Sequence, residues 1–300
     1  MVTHGPANLC AMSVALVTDS TASLPAATVA ERGITVVPLQ VVIGATAYDE
    51  GVDSGDGEGV TPQMLADALK EWVPVSTSRP NPDAILEVYD KLAAEGYDEI
   101  VSVHISAELS GTFESAQLAA RRASVPVTPV DSRQVGMATG FAVLAAADAI
   151  AGGADAATAA AAARTRAENT TSLFYVDTLE YLRRGGRMGA AAALVGSALA
   201  VKPILTVDDG RVGPLEKVRT SAKALSRLEE LAVEAAGDAE VDVAVAHLAS
   251  PERATQLAAR LADRLEKGLQ DREVSLGEIG AVLGAHVGPG MVAVAVARRS

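Results

Sequence analysis

Cysteine is almost absent from this chain: Cys10 is the only one in 300 residues. That excludes an intrachain disulfide and a cysteine-based zinc cluster, and a reducing, cytoplasmic setting is the expectation. Aromatic residues make up only 3%, so the walls of any pocket are expected to be Leu, Val, Ala and Met. No stretch approaches the ~18 apolar residues of a membrane span. The longest candidates, 141–147 and 190–201, are alanine-rich, short and read as buried helix faces. Positive charge is in deficit, with a formal net charge of -13. An acidic chain repels phosphate backbones and anionic membrane surfaces, so neither nucleic acid nor stable membrane insertion is expected. Residues 1–12 lack the basic start and sustained apolar core of a signal peptide and read as a flexible leader.

Several motifs are missing as well. There is no GxxxxGK[ST] phosphate loop and no GxGxxG after the first strand, so neither an ATPase nor a dinucleotide enzyme is supported. Ser110 stands in LSGTF, not in the GxSxG nucleophile elbow. His4, His104, His247 and His286 are scattered singly, without metal-ligand spacing. No cofactor and no metal are expected, and no residue is assigned as catalytic.

What is present is enough apolar material, 49% of residues, to bury a sizeable core. At this length two domains are expected, 13–165 and 166–300. Apolar runs alternate with helical patterns through the first half: 13–17, 34–42, 100–105 and 125–130 read as strands. Helices are expected at 26–32, 61–69, 82–96, 134–151 and 154–168. This rhythm predicts an α/β fold, with a mostly parallel N-terminal sheet flanked by helices. The second half reads as a C-terminal α/β two-layer domain. It has strands at 172–176, 242–248, 274–279 and 291–297, a hairpin turning at Asp208-Asp209-Gly210, and helices at 221–236 and 251–267. An alanine-rich helix is expected at 189–200, ended by Lys202-Pro203. The ligand is expected between the domains.

The stretch 99–116, EIVSVHISAELSGTFESA, is a strand, a polar crossing and a helix opening at Ser110-Gly111-Thr112. A helix start offers unpaired N–H groups and partial positive charge, which stabilise an anion, although a serine there can simply cap its own helix. Asp19 to Ser23 lies at the carboxyl end of the first strand, where open α/β sheets bind ligands. The acidic residues Asp49, Glu50, Asp53, Asp56 and Glu58 lack calcium-loop spacing and read as a solvated loop. His104 and His247 fall in strands and read as satisfied core or sheet-end residues. His286 stands in GAHVGPG, read as a glycine-rich loop where backbone can approach a ligand. Arg183, Arg184 and Arg187 surround two glycines, either as a solvated basic loop or as a cluster facing an acidic partner surface.

Taken in order, the chain resembles the DegV family, the fatty-acid-binding proteins of the bacterial fatty acid kinase system. The motifs that carry the resemblance are VTDSTASLP, TSRPNP, HISAELSGTF, VDSRQVGMATG, LRRGGRM, VKPIL, KVRT and AHVGPG, between Val14 and Arg298. Arg79-Pro80 departs from the Gln-Pro often found in the family. The resemblance implies a two-domain carrier, not an enzyme, holding one long-chain fatty acid and working with a fatty acid kinase subunit. It places the carboxylate on Thr77, Ser110 and His286, with Ser78, Gly111 and Thr112 in support. Arg187 and Arg219 would serve phosphorylation of the carboxylate or docking of the kinase. The competing expectation is an enzyme of a small phosphorylated or carbonyl metabolite, with His286 as acid, base or covalent anchor and Arg187 as phosphate clamp.

Overall fold

The computed structural model describes residues 13–51, 59–194 and 202–299. The expected leader, the acidic residues Asp53, Asp56 and Glu58, and residues 195–201 of the alanine-rich stretch lie outside them; the described part of that stretch, Gly189–Leu194, is a 3-10 helix. The chain enters through β1 (Val14–Asp19), all six residues buried, then a short 3-10 turn and α1 (Ala26–Glu31). The apolar run expected as one strand is two. β2 (Ile34–Val37) pairs in parallel with β1, whereas β3 (Gln40–Ile43) leaves for a separate antiparallel sheet with β4 (Thr46–Asp49). Pro38 stands between them, where its missing N–H removes one ladder donor at the point the chain changes sheet.

Thr61 caps α2 (Pro62–Lys70) through its hydroxyl, with proline at the first turn. The chain then returns as β5 (Val75–Ser78), which places Thr77 and Ser78 in a strand on the other side of β3. α3 (Pro82–Ala94), β6 (Glu99–His104), α4 (Thr112–Ala120) and β7 (Val127–Asp131) follow, completing the parallel sheet in the order β2-β1-β6-β7. α5 (Met137–Ala151) and α6 (Ala156–Glu168) pack their alanines against one face of it. Its other face packs on Ile85, Tyr89 and Leu92 of α3 and on Ala116 and Ala119 of α4.

At the carboxyl ends of β1 and β6 lies a sealed polar chain. Tyr89 Oη donates to Ser102 Oγ (2.8 Å), Ser102 Oγ meets His104 Nε2 (2.7 Å), and His104 Nδ1 meets Asp19 Oδ2 (2.9 Å). Asp19 also accepts from the Ile105 and Thr21 amides. All four side chains are fully buried, so this Ser–His–Asp alignment fastens two strands and is closed to a substrate. Burial pushes the Tyr89 hydroxyl up to about 12.

The second half begins with β8 (Thr170–Tyr175), α7 (Glu180–Arg184), β9 (Lys202–Asp208) and β10 (Arg211–Val218). The strand expected from 204 begins two residues earlier, with Lys202 and Pro203 already inside β9. Asp209 and Gly210, both at positive φ, form the tight turn between β9 and β10. Next come α8 (Ser221–Ala236), β11 (Val241–His247), α9 (Pro251–Arg264), α10 (Glu266–Leu269), β12 (Ser275–Glu278), α11 (Ala281–Val287) and β13 (Val292–Arg298). The sheet order is β10-β9-β8-β13-β11-β12, antiparallel except for β11 with β12. Its valines, such as Val243, Val245, Val294 and Val296, pack on α8 and α9. The opposite face carries alanines and looks toward the first half of the chain. The fold is therefore α/β, with a parallel sheet flanked by helices and a second sheet domain. A further apolar cluster joins Leu39, Val41 and Leu65 to Phe174, Leu205 and Val282, binding the small sheet to the second domain. No helix among the described residues is long and apolar enough to cross a membrane.

Candidate functional site

Strand alternation fixes which hydroxyl of β5 faces inward. Thr77 is half-buried and Ser78 exposed; the Ser78 hydroxyl turns away to donate to Gln40 Oε1 at 3.2 Å. Thr77 Oγ1 meets His286 Nε2 at 2.8 Å. His286 is not in a loop, as expected from its glycines, but in the last turn of α11. Gly280, Gly284 and Gly288 look like loop residues, yet Gly280 is the N-cap and Gly284 sits where a Cβ would crowd Leu65 and Leu248. Close packing, rather than flexibility, is what these glycines supply.

The other wall is the entry to α4. Its N-cap is Gly111 and no side chain caps it, so Ser110 does not spend its hydroxyl on its own helix. Ser110 Oγ instead pairs with Thr112 Oγ1 at 2.8 Å, and Thr112 is completely buried. A side chain at Gly111 would collide with the Arg79 guanidinium, which crosses the helix entry to reach Glu114 at 2.7 Å. Arg187 Nε donates to Leu109 O at 3.1 Å, tying the arginine loop to the segment before α4.

These groups converge on one cavity of about 420 Å³, within the size range of small-ligand pockets. Thr77, Ser78, Ser110, Gly111, Arg187 and His286 all contribute to its lining, concentrated at one end. The remainder is mostly apolar, including Leu109, Met137, Phe174, Ala244, Leu283 and Ala295. Thr112 supports Ser110 from behind. Arg219 is not brought to the cavity; it is exposed, one residue after β10 and one before the Thr220 cap of α8. Arg183 and Arg184 pair with Glu180 at 2.8 and 2.7 Å, and Arg184 lies over the Trp72 ring.

The electrostatics of this end are cationic without a charged imidazole. Burial, followed by the neighbouring Arg187 charge, pushes His286 down to about 4, so the ring is neutral at pH 7. Its Nδ1 is buried without a hydrogen-bond partner, against Gly185, where a Cβ would strike the ring. Among the described residues no three or more His, Cys, Asp or Glu side chains are placed to hold a metal.

Two contributors escape a reading of the sequence. Arg79 lines the cavity two residues beyond Thr77, just past the end of β5. Glu50, read as part of a solvated loop, is buried: its Oε1 accepts from the Val282 amide in the first turn of α11 at 2.8 Å. The Val282 amide gives this buried oxygen the hydrogen bond that burial requires. Nothing local to Glu50 signals a partner 232 positions away.

Comparison with known proteins agrees with this architecture. The model of the DegV family, described as "Uncharacterised protein, DegV family", matches residues 13–299. A DegV domain-containing protein of Streptomyces coelicolor is 54% identical over 286 residues, covering 95% of this chain and 99% of the relative. Among solved structures, a fatty-acid-binding DegV family protein from Thermus thermophilus superposes with a TM-score of 0.87 at 31% identity, covering 96% of this chain and 100% of its own. DegV of Bacillus subtilis, described as a fatty acid binding protein, gives 0.86 at 32% identity with the same coverage.

Proposed function

The chain belongs to the DegV family, and from that membership and the cavity we propose that it binds one long-chain fatty acid and presents the carboxylate to a partner kinase. The observation that carries the proposal is a single cavity with hydroxyls, an uncapped helix entry and a guanidinium at one end and apolar walls along the rest.

The carboxylate sits among Thr77, Ser110 and Arg187. With its proton on Nε2, the neutral His286 ring donates to Thr77 Oγ1, which frees the threonine hydroxyl hydrogen for the carboxylate. Ser110 donates in the same way, and the first amides of α4 add their partial positive charge. Such partners are needed because a buried carboxylate without them is strongly destabilised. The tail supplies the driving force: each methylene withdrawn from water contributes ~0.8 kcal/mol, roughly 10 kcal/mol for a long chain. A small phosphorylated or carbonyl metabolite fits less well, since it would leave the apolar walls uncovered.

In this proposal the protein is a carrier rather than an enzyme. The partner kinase transfers the terminal phosphoryl group of ATP to a carboxylate oxygen, giving acyl phosphate and ADP. Arg187 then faces the new phosphate, for which a guanidinium is well matched. Exposed Arg219 belongs to the docking surface for the kinase.

Delipidated protein should take up one equivalent of a long-chain fatty acid. Ser110→Ala and Thr77→Val should each weaken binding about tenfold or more, the cost of a hydrogen bond to a charged group. Unchanged affinity in both variants, or acyl phosphate formed from ATP with no kinase present, would refute the proposal.

A further inference from the structure

The alanine face of the second sheet is a graduated floor. Three rows cross β8, β13 and β11 in register: Phe174–Ala293–Ala246, then Ser172–Ala295–Ala244, then Thr170–Ala297–Asp242. The first row packs with Leu283 and Val282 of α11, the helix that carries His286, and so marks the head-group end. Ala244 and Ala295 of the second row still line the cavity. The third row does not line it; its Asp242 is ion-paired to Arg166 of α6.

Past the second row stands a single ring. Phe141 of α5 packs against Ala244, Ala295 and Ala297. It lines not the cavity described above but a second one of about 560 Å³ behind it, together with Leu144, Asp242 and Arg166. Met137, Phe141 and Leu144 share one face of α5 by helical spacing. Met137 lines the first cavity and the other two line the second. The Arg166 guanidinium lies 5.8 Å from the Phe141 ring centroid, while Asp242 holds the arginine. The ring is thus held by alanines in front and a fixed cation behind.

We propose that Phe141 is the end wall of the acyl tunnel and sets the longest chain the protein accepts. This rests on the fatty-acid reading. Adjacent rows are two residues apart, or roughly 7 Å along the strands. An extended alkyl chain advances about 1.25 Å per carbon, from tetrahedral geometry and ~1.5 Å bonds, so one row corresponds to about five methylenes. Beyond that row the Arg166–Asp242 pair is a charged stop that an alkyl tail does not displace.

The test is a binding series on delipidated protein with straight-chain saturated fatty acids lengthened two carbons at a time. In the wild-type protein affinity should rise about fourfold per methylene up to a limit and then fall. Phe141→Ala should move that limit up by about four carbons and Phe141→Leu, which keeps apolar packing, by about two. Ala244→Val narrows the tunnel from the opposite side and should lower the limit. Should Phe141→Ala not fold, Phe141→Leu and Ala244→Val decide the matter by moving the limit in opposite directions. An unchanged limit in variants that still bind shorter acids overturns the end-wall assignment alone. Failure of the wild-type protein to bind any acid in the series overturns the fatty-acid reading, and this inference with it.

Discussion

His286 is held as a neutral ring between Thr77 and the Gly185 backbone, and its titration has a defined effect on stability. In the unfolded chain a histidine takes up a proton near pH 6.5, whereas in the fold burial delays protonation to about 4. Between these values the unfolded state binds the proton and the folded state does not, so stability falls as pH drops. The full penalty, about 3 kcal/mol, is reached below pH 4 and vanishes above 6.5. His286→Gln should therefore lose less stability than the wild-type protein between pH 7 and 4.5 in urea unfolding. Equal losses would show that the ring is not held neutral by burial.

One helix, α11, delivers both His286 and the apolar residues Val282 and Leu283 to the cavity. Glu50 fixes its entry through the Val282 amide, and a Cβ at Gly280 would strike the Glu50 carboxyl. Burial raises Glu50 above the ordinary carboxylate range, with Asp19 adding to the rise and hydrogen bonds opposing it. A raised carboxylate stabilises the fold below its unfolded pKa and loses that contribution as pH climbs through the folded value. Glu50→Gln keeps the acceptor and removes the charge, so it should equal or exceed wild-type stability at pH 7 by denaturant titration. Glu50→Ala leaves the amide unpaired and should lose about 1–3 kcal/mol. A marked loss in Glu50→Gln would mean that the charge itself holds the helix. Element boundaries were readable where caps and periodicity agree. Ser221–Ala236 forms the helix its pattern predicts, capped by Thr220. They were unreadable where a glycine serves packing, as in α11, or where one apolar run feeds two sheets, as at Pro38.

At the scale of the whole molecule, alternation of strands and helices was sufficient to imply the parallel sheet, because each crossover helix returns the chain to the end where the preceding strand began. The small antiparallel sheet was not legible: its strands are short, and their partners are set by tertiary contacts with the second domain. The site was legible only through the family resemblance. Thr77 and His286 are 209 positions apart, and neither residue's neighbours indicate the other. The cavity was least visible of all. It is written in which face of β11 and β13 carries alanine rather than valine, and that distinction gains meaning only when α5 lies across it. The same alanines that leave this space leave the core incompletely filled when it is empty, and an occupant that covers them stabilises the folded state.

The central claim is that one acyl chain occupies this space, and mass spectrometry of the purified protein tests it most directly. Native spectra should show a single added mass that disappears on denaturation, with organic extraction yielding a stoichiometric long-chain fatty acid. Ser110→Ala and Thr77→Val proteins should retain less of it. A wild-type protein that stays at its apo mass, even after incubation with excess long-chain fatty acid, would contradict the account.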